Sequence, residues 1–186
     1  MQNFNFEKLR LEVSKVMEWL DIVVCPIQQG KTIMVVSATD AEIITALNAT
    51  ADQIPYLQNF MAFYNPEAES EGIYVRNEVA HSVPDKYMRG LMAHELVHSL
   101  QGITRLTYEI SEASIDDPAK LETRVEMEAY TISAFFEIFE TAEEVIEEMG
   151  YRAALKDLTP HQYLMTIWIE RVKPMLEDLM EKKKTA

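Results

Sequence analysis

Two histidines four residues apart, with a glutamate beside the first, can do chemistry by type and spacing: His94-Glu95-Leu96-Val97-His98. On a helix, residues four apart lie about 40° apart around the axis and one turn along it. Two imidazoles so placed can converge on one metal ion at roughly 2.0–2.1 Å. Glu95 is rotated by about 100° from His94, which aims it at a water beside the ion rather than at the ion itself. Hydrolysis at a metal needs unprotonated ring nitrogens and a base near the water, and this spacing supplies both on one rigid element. From this composition, the string arises by accident in about one chain in a hundred.

A catalytic zinc takes three protein ligands and leaves one position for water. The extended pattern HExxHxxGxxH would place a third histidine at position 104, but Thr104 stands there and Gly102 comes one place late. A glutamate from a following helix is the remaining common solution. Within LETRVEMEAY the candidates are Glu122, Glu126 and Glu128. Glu122 and Glu126 share a helical face and Glu128 points elsewhere. Ala129, beside Glu126, allows close approach of a second helix.

These residues need elements to position them, and the apolar pattern supplies an order for those elements. Phe6, Leu9, Val13, Val16, Met17 and Leu20 recur at helical spacing, which predicts an amphipathic helix over 6–20. Pro26 and Gly30 bracket a turn before a β-branched strand over 31–37, and Thr39 or Asp40 caps a helix over 41–47. Residues 60–64 and 73–79 read as strands separated by a polar turn. Pro84 opens the helix that carries the HExxH string, with Met88, Leu91, Met92 and Leu96 as its buried side and Gly102 as its cap. Residues 104–117 are the least periodic stretch and end in a helix start at Asp117-Pro118. Residues 118–149 then predict one long helix or two abutting ones, closed by Gly150. A last helix begins near Thr159-Pro160, is kinked or divided by Pro174, and ends in Lys182, Lys183 and Lys184. The fold class is α+β, mostly helical, with a small sheet before the HExxH helix. One domain over 1–186 is expected, with an N-terminal helix and strand region at 1–59, a core at 60–150 and a C-terminal helical region at 151–186.

Composition narrows the function classes. The chain has 186 residues, 48% apolar and 26% charged, as an ordinary globular protein does. The net charge of −14 leaves no basic excess for displacing phosphate counterions, so no nucleic-acid partner is expected. Apolar runs stop short of bilayer length and the first residues lack a signal-peptide core, so the expectation is a cytoplasmic protein with no membrane partner. The single cysteine, Cys25, excludes an internal disulfide framework and reads as a small packing residue before Pro26. The eleven methionines read as core filler and the Glu-rich stretch around 140–148 as a solvated helix face.

HELVH followed by EMEAY resembles the gluzincin metallopeptidases, and in particular their compact single-domain minigluzincin members. The resemblance covers roughly residues 73–136. It implies a zincin-like fold, a zinc cofactor held by His94, His98 and Glu126, and Glu95 as general base and acid in peptide-bond hydrolysis by a metal-activated water. It further implies a peptide or protein substrate paired by β-augmentation along an edge strand running from Ile73 to Val79. Many relatives place Asp or Asn, in support of a ligand histidine, where this chain has Tyr130. Candidates for a donor to the developing oxyanion are Tyr130, Tyr151, His161 and Tyr163; His81 reads as a surface residue. The alternative reading is a zincin-fold binding or regulatory module with a structural or vestigial zinc site, against which the intact Glu95 weighs.

Overall fold

The computed structural model describes residues 5–24, 34–46, 50–51, 61–65, 72–101, 124–175 and 177–178. Cys25, Gly30, Pro55, Gly102, the stretch 104–117, the Asp117-Pro118 start, Glu122 and the lysines 182–184 lie outside those residues. Within them the chain is α+β, mostly helical with a small sheet, as the apolar pattern predicts.

Helix α1, Phe6–Trp19, starts where the Asn5 side chain accepts the Lys8 N–H at 3.0 Å, and it buries Leu9, Val13, Val16 and Met17. Strand β1 is Met34–Ala38 and helix α2 is Asp40–Ala46. Thr39 and Glu42 bond reciprocally at the start of α2, Glu42 Oε2 taking the Thr39 N–H at 2.7 Å. Strands β2, Ala62–Asn65, and β3, Gly72–Arg76, complete a sheet of order β1-β3-β2. β3 pairs parallel with β1 and antiparallel with β2, with Tyr64 opposite Ile73. Alternation then sorts the side chains. Ala62, Tyr64, Ile73 and Val75 enter the main core, while Phe63 stacks on Tyr74 at 5.3 Å over Ala38 and Ile43 on the other face.

Two expectations are corrected here. The segment from Ile73 to Val79 is not an edge strand: β3 lies between β1 and β2, and the strand ends at Arg76. Residues Asn77–Ser82 form a short helix, α3, whose Ser82 hydroxyl bonds back to the Glu78 carbonyl at 2.6 Å. Alternation reports which face of a strand is buried but not how many neighbours flank it, so a central strand of a three-stranded sheet reads like an edge one.

Helix α4, Asp85–Gln101, carries the HExxH string and packs against α5, Arg124–Phe136, and against β2 and α1. Met92 and Leu96 are buried and Met88 and Leu91 pack on the same core, as the sequence predicts. Arg89 reaches from α4 to the end of α5: its Nε donates to the Phe136 carbonyl at 2.6 Å and its Nη1 meets Glu140 at 3.2 Å. This satisfies a carbonyl that the helix end leaves without an internal partner.

Of the two alternatives for 118–149 the structure takes the two-helix one, with α5 ending at Phe136; α6, Ala142–Leu155, continues through Gly150, where the sequence predicts a stop. Thr141 and Glu144 form a reciprocal capping box that starts α6. A helical glycine costs only about 1 kcal/mol relative to alanine, too little to end a helix with a packed face. Thr159 and Gln162 form a second such box, with Pro160 in the first turn of α7, Pro160–Ile167. A π-helical turn, Trp168–Val172, follows just before Pro174, where a missing N–H and the ring's bulk disturb the regular ladder. One core joins α1, β2, β3 and α4 to α7. No helix among the described residues is long and apolar enough to cross a membrane.

Candidate metal centre

The centre forms where α4 crosses α5. One turn apart on α4, His94 and His98 bring their Nε2 atoms to 3.0 Å from each other. The first turn of α5 presents Glu126, whose Oε2 is 3.6 Å from His94 Nε2 and whose Oε1 is 3.5 Å from His98 Nε2. Ala129, with no exposed surface, allows the two helices to approach this closely. Among the described residues, these three form the group of His, Cys, Asp and Glu side chains able to hold a metal, with one ligand atom from each within 4.8 Å of the others.

The donor set fits zinc. A tetrahedral ion with bonds of roughly 2.0–2.1 Å separates its ligand atoms by about 3.3 Å, and the three separations here are 3.0, 3.5 and 3.6 Å. Two imidazoles and a carboxylate are the ligands that suit this borderline cation. His98 is buried, while His94 and Glu126 retain some exposure, at 13% and 22% of their side-chain surface, so the centre is open on one side.

Electrostatics prepares the nitrogens unevenly. Burial, reinforced by the neighbouring His98, pushes His94 down to about 3, so its ring is neutral at physiological pH. Burial also acts to lower His98, but the Glu126 carboxylate outweighs it and the net direction is upward. Glu126 is held below the usual carboxylate range by the two histidines, against the opposing effect of burial.

Glu95 lies on α4 beside the centre and is 4% exposed. Burial pushes its carboxyl up to about 7, and the charge on Glu126 adds to that; His98 and a hydrogen bond from the Tyr64 backbone N–H act against it. Strand β2 therefore positions the candidate base directly, through its main chain. Tyr130, one turn beyond Glu126, packs its ring 4.4 Å from that of His94, centroid to centroid, with Trp168 behind it at 6.2 Å. Burial and then the Glu126 and Glu95 charges raise the Tyr130 hydroxyl, so it stays protonated.

The other candidates separate. Tyr151 is 61% exposed on α6, away from the group. Tyr163 is buried, with its side chain hydrogen-bonded to Arg152. His161 stands in the first turn of α7 outside the metal-holding group, and His81 is exposed on α3.

Sequence reasoning placed Glu128 away from the centre, yet the structure links it to a metal-ligand candidate. Glu128 is 3% exposed and its Oε2 accepts from Gln101 Nε2 at 2.7 Å. The Gln101 oxygen lies 3.4 Å from His98 Nδ1. The available signal was Gln101 itself, a polar residue three positions after His98 and so on the same helical face.

Comparison with protein-family models, with curated proteins and with solved structures finds no match.

Proposed function

We propose that this chain is a zinc-dependent peptide-bond hydrolase with a gluzincin-like centre, in which His94, His98 and Glu126 hold the ion and Glu95 moves the protons. The observation that carries this reading is the convergence of two imidazole Nε2 atoms and one carboxylate from two helices, beside a buried glutamate with a carboxyl pushed toward neutrality. The order of elements, a small sheet, then the HExxH helix, then the glutamate-bearing helix, supports a zincin-like domain. Bound there, zinc supplies Lewis acidity toward a carbonyl oxygen and brings the pKa of a water to about 7.

The chain's own groups do the rest. Glu95 accepts a proton from the attacking water and later returns it to the leaving amine, two tasks best served by a carboxyl that titrates near the working pH. The Tyr64 N–H fixes the Glu95 carboxylate without neutralising it. Tyr130, protonated and packed beside His94, is proposed as the donor to the developing oxyanion. With β3 enclosed on both sides, the proposal of a peptide substrate rests on the centre and not on that strand.

The test combines metal analysis of the purified protein with digestion of a peptide library, with and without chelator. One zinc per chain and chelator-sensitive cleavage are expected. Glu95→Gln should keep the zinc and reduce turnover by about 10²–10⁴-fold, the usual contribution of a general base. A protein that takes up no zinc overturns the reading, and stoichiometric zinc with no cleavage by the wild type returns the non-catalytic zincin module.

A further inference from the structure

The hydrogen bonds behind His98 form a relay with only one consistent arrangement of hydrogens. Gln101 Nε2 lies 2.7 Å from Glu128 Oε2 and 3.5 Å from the Val125 carbonyl oxygen. A carboxylate and a carbonyl only accept, so the amide must turn its NH2 group toward them. Its oxygen then faces His98 Nδ1, at 3.4 Å. An amide oxygen also only accepts, so His98 Nδ1 carries a hydrogen and the Nε2 lone pair is left for the centre. Gln101 is half-buried and Glu128 buried, so water competes little for these bonds.

We propose that Gln101 and Glu128 are positioning residues that hold His98 as its Nδ1–H tautomer and orient Nε2 toward the metal. This rests on the metal reading for its consequence, although the tautomer itself is a property of the metal-free protein. The device acts from α4 and α5 together, and Tyr130 lines the other side of the His94–His98 pair. The carboxylate at the far end polarises the amide, and the amide in turn makes the His98 ring a better donor to a cation.

The partners lie on separate helices, which gives the relay a second effect. Glu128 stands two residues beyond Glu126 on α5, and Gln101 three beyond His98 on α4. Each helix therefore contributes both ligand and relay residues, and the relay ties α4 to α5 beside the point where His98 and Glu126 meet.

Two readouts test this. In the chelated protein at alkaline pH, nitrogen NMR of the His98 ring reports the tautomer, and chelator competition reports the zinc Kd. Wild type should show His98 protonated on Nδ1. Gln101→Met keeps the side chain's length and bulk but removes all three hydrogen bonds. It should lose the Nδ1–H bias and weaken zinc binding by about 10–100-fold, the usual effect of removing such a partner. Glu128→Gln still offers an oxygen to the Gln101 amide and should keep the Nδ1–H tautomer, with zinc binding weakened less than in Gln101→Met because only the polarising charge is lost, while Glu128→Leu should follow Gln101→Met. A Gln101→Met protein with the wild-type tautomer and a zinc Kd within about twofold of wild type overturns the relay. If the wild type takes up no zinc, the metal reading fails and the NMR arm alone decides the relay: an Nε2–H tautomer in the wild type overturns it, and an Nδ1–H tautomer lost in Gln101→Met upholds it.

Discussion

Two junctions in this molecule bury a glutamate, and they treat it in opposite ways. Where α1 meets α6, Glu12 is 6% exposed; its Oε2 accepts the Ala142 N–H at 2.7 Å and its Oε1 meets Lys15 Nζ at 3.2 Å. Burial alone would raise its pKa, but the helix N–H and the ammonium outweigh that and hold the carboxyl below its ordinary value. Where α4 meets α5, Glu95 is equally buried, yet its carboxyl is pushed up to about 7 by burial and by Glu126, with only partial relief from His98 and the Tyr64 N–H. Glu12 is satisfied by the fold and serves to join two helices. Glu95 is left short of partners next to a second carboxylate, an arrangement that costs stability and that folding alone does not require. Perturbation that burial explains and that the surroundings fail to correct marks the candidate site.

The largest effect that separates the junctions concerns metal. Removing a ligand should cost more zinc affinity than the roughly 10–100-fold typical of removing a residue behind one. Glu126→Ala is therefore expected to weaken zinc binding by more than about 100-fold, whereas Glu12→Ala, with no group in the centre, should leave the zinc Kd within about twofold. Competition with a chelator of known affinity measures both. Comparable losses in the two variants would show that the junctions are not separate in function.

Next in size is a pair of opposite pH dependences in the chelated protein. An unfolded glutamate titrates at about 4.3. The folded pKa of Glu12 lies lower, so its stabilisation is present at neutral pH and is lost as pH falls through the folded value. Glu12→Gln keeps an oxygen for the Ala142 N–H but loses the charge, so it should be less stable than wild type near neutrality by about 1–1.5 kcal/mol, the difference between a charged and a neutral hydrogen bond, and the difference should shrink in acid. Glu95 has the reverse sign. Its folded pKa of about 7 exceeds the unfolded one, so the folded state binds more protons between the two values and wild-type stability declines as pH rises through that window. Glu95→Gln should accordingly gain on wild type from acid toward neutrality. Urea titrations at acid and neutral pH give both slopes, and slopes of the same sign would dissolve the contrast.

The sequence disclosed one side of this contrast more readily than the other. His94, Glu95 and His98 could be read because a helix converts a spacing of four into a shared face, a local rule that tertiary packing does not alter. Glu126 could be read only through the resemblance of EMEAY to a known pattern; periodicity alone set Glu128 aside and left Glu122 as its alternative. Glu12 was hidden, since its partner Ala142 is 130 positions away and a main-chain N–H leaves no trace in residue type. The same limit hid the Glu128 connection and the central position of β3, whose pairing depends on β1 and β2 together. The break between α5 and α6 was legible in principle, because Thr141 with Glu144 is a capping signature. The sequence leaves it as one of two alternatives, because the Glu- and Ala-rich segment carries no glycine or proline there, and the stop it assigns to Gly150 falls inside α6.

That capping box supplies the smallest test. Glu144 Oε2 accepts from the Glu140 and Thr141 N–H groups, each at 3.1 Å, and from the Thr141 hydroxyl at 2.9 Å, while that hydroxyl accepts the Glu144 N–H at 3.3 Å. Thr141→Ala removes the hydroxyl but leaves both main-chain donors to Glu144, so half of the box survives. The expected loss is about 0.5–1 kcal/mol, at the low end for a lost cap. Thr141→Ser should restore most of it, because it returns the acceptor. Both variants alter the start of α6, the helix whose first N–H Glu12 holds, and neither touches α4 or α5. The zinc Kd should consequently match wild type in both while the urea midpoint moves only in Thr141→Ala. A shift in zinc affinity with Thr141→Ala would mean that the α1–α6 junction tensions the metal centre through the core, and the two carboxylates would then be parts of one device.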